Sequence, residues 1–177
     1  MIIAFTGYSL SGKDEAAKGL KGFQRRAFAD ALKQEVQAFC ISNYKINPLN
    51  CTPAEKEFIR TLLVHHGRAM RQIQADYWIQ HVAASMRVID QLSTARMSEL
   101  KPIPADFAIT DCRYLNEALW VESLGGIVVW VIRPGCGPAN TEERGSIEEI
   151  VASGLIPKTI DNCGTVEELH EKVRRLV

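Results

Sequence analysis

The first fifteen residues contain the feature that most constrains the fold: an apolar segment, a glycine-rich loop and a lysine in direct succession. Residues 2–6 read IIAFT, residues 7–13 read GYSLSGK, and a helix-forming segment follows. The Gly-x-x-x-x-Gly-Lys spacing between a strand and a helix is typical of a loop whose backbone N–H groups surround a phosphate. The alternative is an ordinary glycine turn with an exposed lysine. We favour the phosphate loop, with contacts from Gly7, Ser9, Ser11, Gly12, Lys13 and Asp14.

Asp14 departs from this motif, which normally ends in a Ser or Thr that binds magnesium. A carboxylate is still a hard oxygen ligand, so Asp14 is a candidate Mg²⁺ ligand. Asp111 is the second candidate, because it directly follows the segment DFAIT and ends the predicted strand at residues 107–111, and a doubly wound sheet binds ligands at the carboxyl ends of its strands. The alternatives are that Asp14 only favours a helix start and that Asp111 is a turn residue. Asn116 and Glu117 would suit the capping of the following helix.

Short apolar segments alternate with longer segments of helical periodicity, which predicts an α/β fold with a mainly parallel sheet of about five strands. The predicted strands are residues 2–6, 26–28, 107–111, 127–132 and 159–161, and the main predicted helices are residues 30–42, 53–70, 76–93 and 117–124. Thr165 and Glu168 have the spacing of a capping box and predict the start of a last helix. Residues 100–105 and 134–140 are predicted loops.

The overall composition predicts one cytoplasmic domain over residues 1–177. Lys plus Arg and Asp plus Glu both total 21, so the net charge gives no reason to expect a nucleic-acid polymer or a membrane as partner. The apolar start is too short for a secretory core, and no apolar run approaches a membrane span. Five scattered cysteines predict free thiols, and we expect no structural metal site.

A second anion site is predicted on the helix at residues 53–70 and just beyond it. Arg60, Val64, Gly67 and Arg71 share one narrow helical face, so two guanidinium groups would flank a position that has no side chain. Trp78 follows and could stack on a base. A solvated helix face and a core tryptophan are the alternatives. Asp30 and Lys33 in FADALK could line the same pocket or only begin and decorate a helix.

Taken together and in order, these segments resemble the bacteriophage-type deoxynucleoside monophosphate kinases of the P-loop nucleoside monophosphate kinase superfamily. The resemblance rests on GYSLSGKDEAA, FADALK, Arg60 with Gly67, Arg71 and Trp78, TDCRYLNEALWV, VIRPG and IDNCGTVEELHEKV. It covers nearly the whole chain. Loops ending in Gly-Lys-Asp occur in this family and in animal-type phosphomevalonate kinases, so Asp14 is interpreted as a family variant.

The resemblance implies a three-layer α/β/α sandwich with a lid near residues 134–150, and transfer of the ATP γ-phosphate to a deoxynucleoside monophosphate with Mg²⁺. Lys13, Arg71, Arg133 and Arg144 would act on the transferred phosphoryl group. Asn162 and Gly164 would lie near the adenine. The acceptor would contact Asp30, Lys33, Arg60, Gly67, Arg71, Trp78 and Arg113. The family inclines us toward a homodimer. A phosphomevalonate-type kinase and a non-catalytic nucleotide-binding switch are the competing hypotheses.

Overall fold

The computed structural model describes residues 1–95 and 105–177, with side chains described through Arg87 and again from Ala105. In chain order the strands are β1 (Ile2–Thr6), β2 (Gln24–Arg26), β3 (Phe107–Ile109), β4 (Ile127–Ile132) and β5 (Lys158–Asp161). The helices are α1 (Lys13–Lys18), α2 (Phe28–Tyr44), α3 (Pro53–Ile73), α4 (Tyr77–Ala95), α5 (Leu115–Ser123), α6 (Thr141–Ala152) and α7 (Val166–Arg174). The predicted loop at residues 100–105 lies, but for its last residue, outside the described residues.

The five strands form one parallel sheet in the order β2-β3-β1-β4-β5. The central strand β1 is apolar and buried from Ile3 onward, as expected of a strand covered on both faces. Because all strands run the same way, the segments that follow β1, β3, β4 and β5 leave the sheet at one edge. The residues after these strands therefore converge on one region.

The chain groups into two compact units, residues 1–26 with 87–177, and residues 27–86. In the first unit, α1 and α7 pack on the sheet face that presents Ile3 and Phe5. Ala4 of β1 points to the opposite face of the sheet. Helix α5 contacts β1 and β4 but contributes no side chain to the core formed with α1 and α7, so it packs on that opposite face. The sheet thus has helices on both faces, and the first unit contains the whole sheet.

The second unit is helical and has a core of its own. Val36 and Cys40 of α2 pack with Ile46 and with Ile59 of α3. Thr52 caps α3 by accepting a hydrogen bond from the backbone N–H of Glu55, whose carboxylate accepts in return from Thr52, and Pro53 occupies the first helical position. No helix among the described residues has both the length and the apolar character needed to cross a membrane.

The predicted α/β class and mainly parallel five-stranded sheet are confirmed. The bounds of β1 and β4 and the capping box of α7 agree with prediction. The strand predicted at residues 26–28 was wrong by two residues, because Phe28 is the first residue of α2 and β2 ends at Arg26. The predicted start of α5 was two residues late, since Glu117 is the third residue of its first turn. That the whole chain is one kinase domain stays a prediction.

Candidate phosphate site

The loop between β1 and α1 has the backbone that its glycines allow. Gly7 and Gly12 both have positive φ angles, of 141° and 98°. A Cβ on Gly7 would lie 2.5 Å from the carbonyl oxygen of Val131, and a Cβ on Gly12 would collide with the side-chain amide of Asn162. Leu10 also has a positive φ, 64°, and its side chain is 82% exposed at the tip of the loop. Only glycine fits at positions 7 and 12, for both conformational and steric reasons.

Lys13 begins α1 and is buried at the base of the loop. Its Nζ donates hydrogen bonds of 2.7 Å to the carbonyl oxygens of Gly7 and Tyr8, and the residue is 8% exposed. Burial, followed by the nearby Arg113 guanidinium, lowers the pKa of Lys13 from 10.5 to about 8. Glu143, Asp14 and Asp111 oppose that shift, in this order. An ammonium group that is only partly desolvated and surrounded by mixed charges is suited to bind an anion at neutral pH.

Two hydroxyl groups lie buried at the start and end of the loop. Thr6 is 0% exposed and Ser11 is 1% exposed, and neither hydroxyl has a hydrogen-bond partner among the described residues. A buried polar atom without a partner is costly unless a ligand or water satisfies it. Together with the two glycines and Lys13, these hydroxyls fit the requirements of a phosphate-containing ligand.

The two predicted metal ligands belong to this unit, and both are close enough to Lys13 to raise its pKa. The Asp14 side chain is 69% exposed, and its Oδ1 accepts a 3.2 Å hydrogen bond from Nε of Arg25 in β2. Asp111 is half-buried, two residues beyond the end of β3. No group of three or more His, Cys, Asp and Glu side chains within residues 1–87 and 105–177 is arranged to hold a metal ion. That Asp14 and Asp111 bind Mg²⁺ stays a prediction.

The segment after Asp111 begins α5 and presents Arg113. The Glu117 carboxylate accepts hydrogen bonds from the backbone N–H groups of Arg113 and Tyr114, so Glu117 caps the helix, as expected for one of the two residues considered. The guanidinium of Arg113 is about half exposed and lies 3.8 Å from Glu143. Arg113 thus remains accessible beside Lys13.

The other predicted residues of this unit follow β4 and β5 in the chain. Arg133 directly follows β4 and is exposed, and Arg144 is exposed on α6. Asn162 directly follows β5 and donates a 2.8 Å hydrogen bond to the carbonyl oxygen of Ser11. Gly164 is exposed just before the cap of α7. The structure thus ties Asn162 to the phosphate loop itself, while the roles of Arg133, Arg144 and Gly164 stay predictions.

The predicted arginine face belongs to the second unit, and its Gly67 is buried. A Cβ on Gly67 would lie 2.6 Å from Cδ1 of Leu32, so the missing side chain makes room for α2. The carbonyl oxygen of Gly67 accepts hydrogen bonds from Nε1 of Trp78 and Nη1 of Arg71. Gly67 therefore has a packing role between α3 and α2, and contact of Gly67 with a phosphate stays a prediction.

The remaining predicted acceptor residues also lie in the second unit. Trp78 is 2% exposed and packs edge-on against Tyr77 and His66, which favours the core alternative over base stacking. Arg60 is exposed and pairs with Glu57 at 2.6 Å, one helical turn away. Lys33 pairs with Asp30 at 3.5 Å on α2. Contact of these charged side chains with an acceptor stays a prediction.

Two residues at the loop were not predicted as site residues. The Glu143 carboxylate, on the first turn of α6, accepts a 3.4 Å hydrogen bond from the backbone N–H of Ser9. The Cys136 thiol donates to the carbonyl oxygen of Leu10 at 3.4 Å. The Asn140-x-x-Glu143 spacing would have located the start of α6, since Asn140 caps it, but nothing in the sequence shows that Glu143 reaches residue 9.

Comparison with known proteins shows the fold. No protein-family model matches the sequence, and no curated protein matches it either. Among solved structures, dephospho-CoA kinase from Campylobacter jejuni aligns over 99% of this chain and 94% of its own, with 11% identity and a TM-score of 0.54. A sugar kinase from a Janibacter species aligns over 98% and 92%, with 12% identity and a TM-score of 0.41. The chain has the P-loop kinase-like α/β fold of the dephospho-CoA kinase.

Proposed function

We propose that this protein transfers the γ-phosphate of ATP to a deoxynucleoside monophosphate, giving the diphosphate. The observation that carries the proposal is the buried Lys13, whose amine lies within a glycine loop at the carboxyl edge of a parallel sheet. The structural likeness to a protein described as a dephospho-CoA kinase supports phosphoryl transfer as the class of reaction. The deoxynucleotide as acceptor rests on the sequence resemblance.

Phosphoryl transfer depends on positioning and on charge stabilisation more than on covalent chemistry by the protein. In the proposed reaction, backbone N–H groups of the loop hold the ATP phosphates, and the start of α1 adds its positive dipole end. Lys13 exchanges its two carbonyl partners for phosphate oxygens. Arg113 lies close enough to lower the pKa of Lys13, so both cations would face bound phosphate groups.

Magnesium, when bound, would neutralise phosphate charge, and Asp14 and Asp111 are the residues that would hold it directly or through water. Because the Asp14 Oδ1 accepts from Arg25, its second oxygen, Oδ2, is the one that would face the cation or its water. Arg133 and Arg144 are exposed and could approach the phosphoryl group from the proposed lid. Arg60, Arg71, Asp30 and Lys33 are the proposed contacts of the acceptor.

The test is a coupled assay for ADP formation with ATP and Mg²⁺. The acceptors are the common deoxy- and ribonucleoside monophosphates, phosphomevalonate and dephospho-CoA. We expect turnover with one or more deoxynucleotides, and a rise in melting temperature with that nucleotide, since a ligand that binds only the folded state stabilises it. Turnover restricted to phosphomevalonate or dephospho-CoA would refute the acceptor while keeping the reaction class. Binding of ATP with no turnover on any acceptor would favour a nucleotide-binding switch.

A further inference from the structure

Three successive residues of the phosphate loop are each held by a different downstream segment. The Ser9 N–H donates to Glu143 of α6, and the Leu10 carbonyl accepts from Cys136, which follows β4. The Ser11 carbonyl accepts from Asn162, which follows β5. Hydrogen bonds from three other segments therefore hold the tip of the loop. The tip includes Leu10, whose backbone is in the left-handed conformation.

Glu143 differs from its neighbours on α6 in being buried. It is 5% exposed, whereas Glu142, Glu148 and Glu149 are exposed. Its Oε2 accepts a 2.7 Å hydrogen bond from the backbone N–H of Ala139 besides the one from Ser9, and its Oε1 lies 3.8 Å from Nη2 of Arg113. A buried carboxylate persists only where donors and a positive charge compensate for lost water, and these three groups do so.

From this geometry we infer that Glu143 is a positioning residue, which joins the start of α6 to Ser9 and Arg113 and so keeps the phosphate loop in its binding conformation. The inference rests on the proposed function for its ligand, ATP. It also adds a role to the proposed lid segment, because a residue in the first turn of α6 would set the geometry of the loop 134 residues earlier in the chain.

The physical consequence is a change in affinity more than in the rate of transfer. If the loop becomes ordered only when the ligand binds, the free-energy cost of that ordering weakens the binding of the ligand. A residue that only organises the loop affects ground state and transition state alike, so its loss raises KM and leaves kcat nearly unchanged. A residue that touches the transferring phosphoryl group would lower kcat instead.

The experiment compares Glu143→Ala, Glu143→Gln and the control Glu148→Gln. The control removes one negative charge from an exposed position of the same helix. Glu143→Gln keeps an oxygen that can accept from the N–H groups of Ser9 and Ala139, but loses the charge that faces Arg113. We measure the Kd and KM for ATP, kcat, and the hydrogen exchange of the amides of residues 9–11.

We expect Glu143→Ala to raise Kd and KM for ATP about tenfold, with kcat within about twofold. Glu143→Gln should give a smaller increase in the same direction, and the control should match the wild type. The amides of residues 9–11 should exchange faster in Glu143→Ala than in the control. If Glu143→Ala does not fold, Glu143→Gln carries the test.

The inference is overturned if both Glu143 variants match the control in ATP affinity and in exchange at residues 9–11. A loss of kcat with unchanged affinity would also overturn it. Failure of the proposed function looks different: the wild-type protein would not bind ATP, or would bind ATP without turning over any acceptor. Hydrogen exchange at residues 9–11 would still decide in that case whether Glu143 holds the loop.

Discussion

The phosphate loop and the arginine-bearing face of α3 hold their cations in different ways. Lys13 is 8% exposed, and its position is set by two backbone carbonyls of the loop. Arg60 has a side chain that is 56% exposed, and its partner, Glu57, belongs to the same helix, one turn away. The first cation is fixed by tertiary structure and is partly desolvated, which is costly unless it binds an anion. The second is an ordinary surface pair and costs little to rearrange.

Replacement of Lys13, the cation that is fixed by tertiary structure, should have the largest effect on turnover. Lys13→Ala removes the cation that is proposed to hold the outer phosphates, so we expect kcat to fall on the order of a hundred- to a thousandfold, as when other preorganised donors to a developing charge are removed. The thermal unfolding midpoint should stay within a few degrees of the wild type. Near-normal turnover in a folded variant would remove Lys13 from the mechanism.

The desolvation of Lys13 gives a second test that does not depend on the acceptor. Its pKa is lowered from 10.5 to about 8, so the neutral, nucleophilic amine is half populated near pH 8 rather than above pH 10. We expect labelling of Lys13 by a small amine-reactive reagent, followed by peptide mass spectrometry, to reach half of its maximum near pH 8 and to level off about one to two pH units higher. Labelling of an ordinary lysine keeps rising beyond pH 9.

ATP serves as the control for this labelling. Bound phosphates favour the protonated amine and cover it, so saturating ATP should suppress labelling of Lys13 and leave that of the exposed Lys56 unchanged. A Lys13 profile that rises in parallel with that of other lysines would mean that the amine is fully solvated in the free protein.

These contrasts explain what the sequence could and could not predict. The loop was predictable because its requirements are local: glycine at positive φ, a lysine at the start of α1, and an apolar strand before it. The packing around the arginine-bearing face of α3 could not be predicted. A 3.6-residue periodicity shows which residues share a helical face, but it does not show which neighbouring element covers them. Gly67 is covered by Leu32, 35 residues earlier in the chain.

Glu143 shows the same limit at the phosphate site. Its place at the start of a helix follows from Asn140, but its bond to Ser9 depends on the tertiary structure that brings residues 134 positions apart together. The α/β class and the alternation of strands with most of the helices could be predicted from the sequence, although α6 was not predicted as a helix. They follow from repeated short-range patterns along the whole chain.

Replacement of Trp78 distinguishes the two roles that the sequence allowed for this residue, which are packing in the core of the second unit and stacking on a base. Its ring is 2% exposed, and its Nε1 donates a 3.2 Å hydrogen bond to the Gly67 carbonyl. Trp78→Phe loses this bond and part of the buried ring, so we expect the free energy of unfolding to fall by about 1–3 kcal/mol in a denaturant titration. The KM for a deoxynucleotide should change little. Unchanged stability with a raised KM would mean that the ring faces the ligand.

Arg60 gives the smallest expected effect and the sharpest comparison, because its partner offers a matched control. Arg60→Ala and Glu57→Ala both break the same exposed pair, so each should change the free energy of unfolding by less than about 0.5 kcal/mol. If the pair is only a surface feature, both variants leave the acceptor kinetics at the wild-type values. If Arg60 contacts the acceptor phosphate, Arg60→Ala alone raises the acceptor KM a few-fold, while Glu57→Ala leaves it unchanged or lowers it, because removing Glu57 releases the guanidinium. Equal kinetics in the two variants would therefore remove Arg60 from the acceptor site.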